Sequence, residues 1–317
     1  MTKKISLIAP CYCEAPVIEE FYRSVKEVLS KIPDIEYEMI LVDDGSCDST
    51  PEILRKLAND DARLKVIILS RNFGHQTALT AGIDSASGDA LIMMDSDFQH
   101  PVELLEPLID YWKQGYDVVS TIRRETHGAG FFKSMTSKLF YILFNALSQT
   151  SLPMGAADFC LLSRPVYTQL RNIRERHRFL RGLICWLGFH RKLVTYSANA
   201  RKAGVSKYSL PRMLSLASAA IFSFSAKPLT SAIRFGLFIT AAGFLYLLYI
   251  LYEYFFNQNL VPGWASLICT ILILNGFQLV FIGLVGAYIA RIFEEVKGRP
   301  IYVVKEKINL EPSIECV

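Results

Sequence analysis

Apolar and polar positions in the first hundred residues fall in short blocks whose period keeps changing. Ile5-Ser-Leu-Ile-Ala is a brief apolar run ending at Pro10, residues 17–29 repeat apolar side chains at helical spacing, and Tyr37-Glu-Met-Ile-Leu-Val is apolar again. The pattern reads strand, helix, strand. Residues 51–57 suit a helix with Thr50 as its cap and Pro51 in its first turn, followed by a strand over 64–69. A helix over 75–85 and strands over 90–94 and 117–121 continue the alternation. Alternating β and α elements predict an α/β fold, with a mostly parallel sheet carrying helices on both faces. In such sheets ligands sit at the carboxyl ends of the strands.

Past residue 226 the pattern is of another kind. Residues 235–252 and 265–290 carry no charge, and Asn275 and Gln278 are the strongly polar side chains of the second run. With its interfacial flank each run is long enough to cross a bilayer, and length argues against the alternative of a buried core helix. The pair predicts a two-helix transmembrane hairpin. Residues 253–264 contain no Lys or Arg, whereas Lys227 and Arg234 precede the first run and Arg291, Lys297, Arg299, Lys305 and Lys307 follow the second. That asymmetry puts both termini in the cytosol, with Tyr252, Tyr254 and Trp264 as an aromatic belt at the far interface. Residues 131–147, with aromatics at 131, 132, 140, 141 and 144, and residues 209–225 suit amphipathic helices on the bilayer surface. An ordinary core-facing helix fits 131–147 equally well. The predicted organisation is a catalytic domain over 1–208, a juxtamembrane helix over 209–232, spans over 233–257 and 264–290, and a cytosolic tail over 291–317.

Composition sharpens this picture. The 317 residues suffice for a full core, and 34 basic against 30 acidic side chains give +4, too balanced for a general nucleic-acid binder. The mean hydropathy of +0.27 is concentrated in the last third. Thr2-Lys-Lys leads into few apolar residues before Pro10, which argues against a signal peptide. The seven cysteines form no C-x-x-C pair and are odd in number, so they read as reduced cytosolic thiols.

Acidic clusters fall at the predicted strand ends. Asp43-Asp44-Gly45-Ser46 closes the second strand and Asp95-Ser96-Asp97 the fourth, so distant carboxylates converge on one crevice. In an extended segment Asp95 and Asp97 can approach one divalent ion while Ser96 turns away. A D-x-D pair alone is a weak signal, because solvated turns contain it too. The longer strings say more. Met94-Asp-Ser-Asp-Phe-Gln-His-Pro101, with Asp43-Asp-Gly-Ser-Cys-Asp-Ser-Thr50 upstream, resembles the family-2 inverting glycosyltransferases of the GT-A (Rossmann-like) fold. Within them it is similar to the polyprenyl-phosphate branch of bactoprenol-phosphate glucosyltransferases and dolichol-phosphate mannose synthases. Asp158-Phe-Cys-Leu-Leu-Ser-Arg164, Arg178-Phe-Leu-Arg-Gly, Arg201-x-x-Gly-x-Ser-Lys-Tyr208 and residues 291–304 match later motifs in order.

The resemblance implies roles residue by residue. Asp95, Asp97 and Gln99 would hold Mg2+ or Mn2+ against the donor diphosphate. Pro10, Tyr12, Glu14, Asp43, Asp44 and Ser96 would line the nucleotide-sugar pocket. Arg201, Ser206 and Lys207 would close over the donor phosphates, and Arg123, Lys133 and Ser137 would receive the acceptor phosphate. Asp158 matches the proposed base, and with Asp97 it makes up the catalytic residues that the resemblance implies. A phosphate monoester with a second pKa of about 6 is already ionised, however, so Asp158 either accepts a proton or orients groups. Cys13 stands where the family usually has Asn, Cys160 where Arg is common, and Ala287 where Glu often occurs. His75 and His100 lack metal-ligand spacing, and His100 reads as scaffold. The implied reaction moves a hexose, foremost glucose from UDP-glucose, to undecaprenyl phosphate. The implied setting is an integral plasma-membrane enzyme with a cytosolic catalytic domain, a homo-oligomer and by that resemblance a tetramer. The alternatives are the same chemistry on mannose from GDP-mannose, galactose, N-acetylglucosamine or an aminoarabinose derivative, and a silent membrane scaffold, while the missing Q-x-x-R-W motif and only two spans argue against a processive polysaccharide synthase.

Overall fold

A computed structural model describes residues 2–123, 152–176, 178–197, 227–252, 256 and 263–310. Two compact units emerge. The larger is built on an eight-stranded sheet in the order β7-β5-β6-β4-β1-β2-β3-β8. Its strands are β1 (Lys3–Cys11), β2 (Ile35–Asp43), β3 (Leu64–Leu69), β4 (Ala90–Met93), β5 (Val118–Arg123), β6 (Ala156–Ser163), β7 (Arg191–Tyr196) and β8 (Val304–Ile308). β1 runs parallel to β2 and β4, β2 to β3, and β5 to β7. β6 is antiparallel to β4 and β5, and β8 to β3, so the sheet is mixed.

Continuous apolar runs in β1 and β2 are buried on both faces, as strands sandwiched between helices must be. Ile5, Leu7, Ala9 and Cys11 of β1 share a core cluster with α1 (Ile18–Lys31), α2 (Thr50–Asp60) and α4 (Leu105–Lys113). On the opposite face α3 (His75–Ser85) comes so near that a Cβ on Gly82 would lie 2.3 Å from Ile8 Cγ2. Two short helices, α5 (Arg164–Asn172) and α6 (Leu180–Trp186), follow β6. The register matters for function: Cys11 pairs with Asp43 and Ile8 with Met93, so the D-D-G-S and D-S-D segments leave the sheet at one edge.

Two local expectations change. Thr50 is the first residue of α2 rather than its cap; Ser49 occupies that position without a side-chain capping bond. Asp48 Oδ1 instead accepts from Thr50 N at 3.1 Å, while Thr50 Oγ1 accepts from Glu14 N at 3.0 Å. The segment after residue 298, read as a tail, supplies edge strand β8. Arg55 grips Glu306 of that strand through Nε and Nη2, and Asn309 Nδ2 donates to the carbonyls of Ala58 and Leu64.

The second unit contains α7 (Lys227–Tyr252) and α8 (Trp264–Val296), which meet at Phe235 and Phe277 with ring centroids 5.3 Å apart. Among the described residues, 274–296 form one helix long and apolar enough to cross a membrane, while the apolar stretch over 232–246 is shorter. Phe238, Leu245, Leu279 and Val280 are exposed. The amphipathic stretches proposed over 131–147 and 209–225, and Tyr254 of the belt, lie outside the described residues.

At the other end of the sheet, Glu38 is almost fully buried. It accepts from Ser6 Oγ at 2.6 Å and Ser87 N at 2.8 Å, and pairs with Lys65 and Lys4 at 2.7 and 2.8 Å. Burial would push its carboxyl up, but the two lysines and the hydroxyls outweigh that and hold it at about 2, against an ordinary 4.5. A folded value below the unfolded one stabilises above pH 4.5, and the contribution disappears as pH falls through 2. Glu38→Gln should therefore reduce the unfolding free energy by about 3 kcal/mol at pH 7. Urea unfolding followed by circular dichroism should show the gap between variant and parent narrowing at pH 3; an unchanged gap would remove the ion-pair explanation.

Candidate active site

The turn after β2 is set by backbone sterics. Gly45 has φ +69°, and a Cβ there would meet the Arg71 backbone at 2.3 Å. That close approach brings residues 71–74 onto Asp44, whose two oxygens accept from Phe73 N at 2.7 Å and Gly74 N at 2.9 Å. Asp43 accepts from Ser46 N at 3.1 Å through Oδ2, and its buried Oδ1 has no hydrogen-bond partner. Burial raises the pKa of both carboxyls. Tyr12 and Glu14 are half-buried beside this turn.

The D-S-D segment follows the alternation expected of extended chain. Ser96 is buried and donates to the Pro10 carbonyl at 2.9 Å, which ties the segment to the end of β1. Asp95 and Asp97 lie to either side of that tether. Asp97 Oδ1 accepts from Gln99 N at 3.1 Å, and Gln99 Oε1 accepts from Arg123 Nη1 at 3.2 Å. His100 is buried against Phe159, with ring centroids 5.0 Å apart, and its Nδ1 accepts from Asp95 N at 3.2 Å. Burial lowers its pKa, so it holds the segment as a neutral ring. Its role is scaffolding, as its position in the motif suggested.

Behind Asp95 stands a denser cluster. Asp158 of β6 is buried and receives two hydrogen bonds from Arg181 of α6, Nε to Oδ1 at 2.6 Å and Nη2 to Oδ2 at 2.7 Å. Gln76 Nε2 donates to Asp158 Oδ2 at 3.3 Å, while Gln76 Oε1 accepts from Leu180 N at 3.0 Å. His75, the first residue of α3, has Nε2 3.5 Å from Asp158 Oδ2 and 3.4 Å from Asp95 Oδ1. Burial would raise the Asp158 carboxyl, but Arg181 and His75 outweigh it and hold the group far below the usual carboxylate range. Burial likewise would lower His75, whereas Asp95 and then Asp158 raise it to about 9. Asp158 is thus a locked anion and a poor proton acceptor.

The Asp95 Oδ1 atom is buried and accepts no hydrogen bond. Among the described residues no group of three or more His, Cys, Asp or Glu side chains gathers as a self-sufficient metal cage. An Asp95–Asp97 pair whose buried Asp95 Oδ1 faces only His75 Nε2, at 3.4 Å, suits a cation that takes its other ligands from a bound phosphate, as Mg2+ usually does. Pro10, Asp43, Asp44, Asp95, Ser96, Asp97, Gln99, Arg123 and Asp158 therefore converge on one edge of the sheet. Lys133, Ser137, Arg201, Ser206 and Lys207 lie outside the described residues. His75, Gln76 and Arg181 were given no role from sequence; the Arg178-Phe-Leu-Arg-Gly string was the available signal for Arg181.

Comparison with known proteins follows the same lines. The model of glycosyl transferase family 2 matches residues 6–171. The uncharacterized glycosyltransferase YkcC of Bacillus subtilis (strain 168) is 40% identical over 306 residues, covering 96% of this chain and 94% of its own. The SfII prophage-derived bactoprenol glucosyl transferase of Shigella flexneri is 38% identical over 309 residues, covering 98% of this chain and 100% of its own. Among solved structures, mannosyl-3-phosphoglycerate synthase from Rubrobacter xylanophilus matches 73% of this chain and 75% of its own, with TM-score 0.49 and 16% identity.

The Asp158–Arg181 lock makes its own prediction. Arg181→Ala strands a buried carboxylate and should destabilise the protein by about 3 kcal/mol. Adding Asp158→Ala should restore part of that stability, giving a coupling of about 2 kcal/mol in a double-mutant cycle read by urea unfolding. Strictly additive losses would mean that the two side chains do not act as a pair.

Proposed function

The chain belongs to glycosyl transferase family 2, and from that membership we propose that it moves a hexose, foremost glucose from UDP-glucose, onto a polyprenyl phosphate. The observation that carries the acceptor assignment is the near-full-length similarity to a bactoprenol glucosyl transferase. The site chemistry supports it from the other side, because paired carboxylates beside locked anions suit a diphosphate-bound cation better than a bare sugar.

In this reading the Pro10, Tyr12, Glu14, Asp43 and Asp44 region receives the nucleotide. Asp95 and Asp97, with Gln99, hold Mg2+ or Mn2+. Such an ion neutralises charge growing on the leaving nucleoside diphosphate. Arg123 meets the acceptor phosphate, with Lys133 and Ser137 of the adjoining segment, while Arg201, Ser206 and Lys207 cover the donor phosphates. A phosphate oxygen then attacks the anomeric carbon as the bond to the nucleoside diphosphate breaks, giving a β-linked product from an α-linked donor. Asp158 does not take a proton in this scheme; it fixes Arg181 and His75 behind the reacting groups.

The exposed apolar side chains of α7 and α8 support a membrane hairpin, since bare patches of that extent are unfavourable in water. The catalytic unit then works at the cytosolic face, where donor and lipid phosphate meet. A homo-oligomer, tetrameric by resemblance, belongs to the same reading. The test is transfer from a panel of labelled UDP- and GDP-sugars to undecaprenyl phosphate in detergent. Label should enter the lipid fraction, vanish with EDTA and fall about 100-fold in Asp97→Ala. Folded protein that transfers from no donor would leave the scaffold alternative in its place.

A further inference from the structure

Two thiols face each other at the donor side of the crevice. Cys13 Sγ, in the turn after β1, lies 3.6 Å from Cys47 Sγ in the turn before α2. Cys13 is half-buried and Cys47 exposed, whereas Cys11 and Cys160 are buried, so the pair is open to small reagents. Cys13 has φ 55°, a left-handed conformation unusual for a residue with a side chain. It is held there by donating its N–H to Ser46 Oγ at 2.8 Å. The same two turns are stitched by Glu14 N to Thr50 Oγ1 at 3.0 Å and Ala15 N to Asp48 Oδ2 at 3.3 Å. Cys13 also sits between Tyr12 and Glu14, and Cys47 three residues beyond Asp44.

We propose that Cys13 and Cys47 form a reversible disulfide with a low-molecular-weight disulfide as oxidant, and that this cross-link weakens nucleotide binding at the adjoining pocket. A disulfide requires an S–S separation of about 2.0 Å, so the two sulfurs need to approach by roughly 1.6 Å, through side-chain rotation and a shift of the turns. In the first step the thiolate of one cysteine attacks the small disulfide, forming a mixed disulfide and releasing one small thiol. The second cysteine then attacks the protein sulfur of that mixed disulfide and releases the other small thiol. Both cysteines lose their protons, the protein pair is oxidised, and one small disulfide becomes two thiols. In a reducing cytosol the pair stays open and closes only when the small-disulfide pool rises. Drawing Cys13 onto Cys47 pulls on residues 12–14 beside Asp43 and Asp44, where the value of a contact depends on placement. Binding weakens because the crevice was shaped with the thiols apart.

The inference rests on the donor-pocket reading above, and the experiment separates the two. Full-length protein in detergent is treated with glutathione disulfide and digested with trypsin, and masses are compared before and after dithiothreitol. UDP affinity is measured in parallel on reduced, oxidised and re-reduced protein with Mn2+ present, for parent, Cys13→Ser and Cys47→Ser. The expected result is a reducible link between peptides 5–23 and 32–55, absent from both variants. Cys11 shares the first peptide, so the loss of the link in Cys13→Ser identifies the bonded sulfur. UDP affinity should fall about tenfold on oxidation of the parent, return with dithiothreitol, and stay constant in both variants. No link, or a link with unchanged UDP affinity, overturns the gate alone. Reduced parent that does not bind UDP overturns the UDP-donor reading of the pocket, and the gate with it.

Discussion

Carboxylates cannot be gathered at the edge of a sheet without cations or donors to hold them, and this constraint organises the catalytic unit. Asp44 is held by two backbone N–H groups, Asp158 by Arg181 and Gln76, and Asp95 by the buried His100 scaffold on one side and His75 on the other. The anions are compensated from several elements, with α3 serving both Asp158 and Asp95, so β1, β2, β4, β6, α3 and α6 must all be in place before the site exists. The strand register supplies the common origin. Asp95 Oδ1 accepts no hydrogen bond and faces His75 Nε2 at 3.4 Å, so an incoming cation would share that oxygen with the imidazole.

The larger unit is closed by the end of the chain. β8 adds to β3 after the helices of the second unit, secured by Arg55–Glu306 and the Asn309 amide. Tyr302, just before that strand, donates from its hydroxyl to Asp84 at the end of α3, the helix whose first residue is His75. The chain thus leaves the catalytic unit, forms α7 and α8, and returns to brace the helix that presents two of the groups around Asp158.

Much of this was legible from residue pattern. β1 to β4 announce themselves through mostly apolar runs bounded by Pro10 and by acidic turns, because strands buried on both faces tolerate few other readings. β6 was harder: its apolar run carries Asp158 and Cys160, and an antiparallel strand between β4 and β5 breaks the expected alternation. β7 is half polar in Arg191-Lys-Leu-Val-Thr-Tyr, and β8 pairs across almost the whole chain, which no local period reports. The acidic motifs located the crevice, but the cations serving it could not be chosen from sequence. Arg181 was one of many arginines, and His75 lacked ligand spacing; only the packing of α3 and α6 against β6 distinguishes them.

The proposed reaction is a single displacement in which Asp158 stays an ion-paired anion and the acceptor phosphate is the nucleophile. The anomeric configuration of the first-formed lipid-linked sugar tests it most directly, by proton NMR of product made from an α-linked nucleotide sugar under single-turnover conditions. A β-linked product is the outcome this account requires. An α-linked product would demand two displacements or a front-side path, and would contradict it.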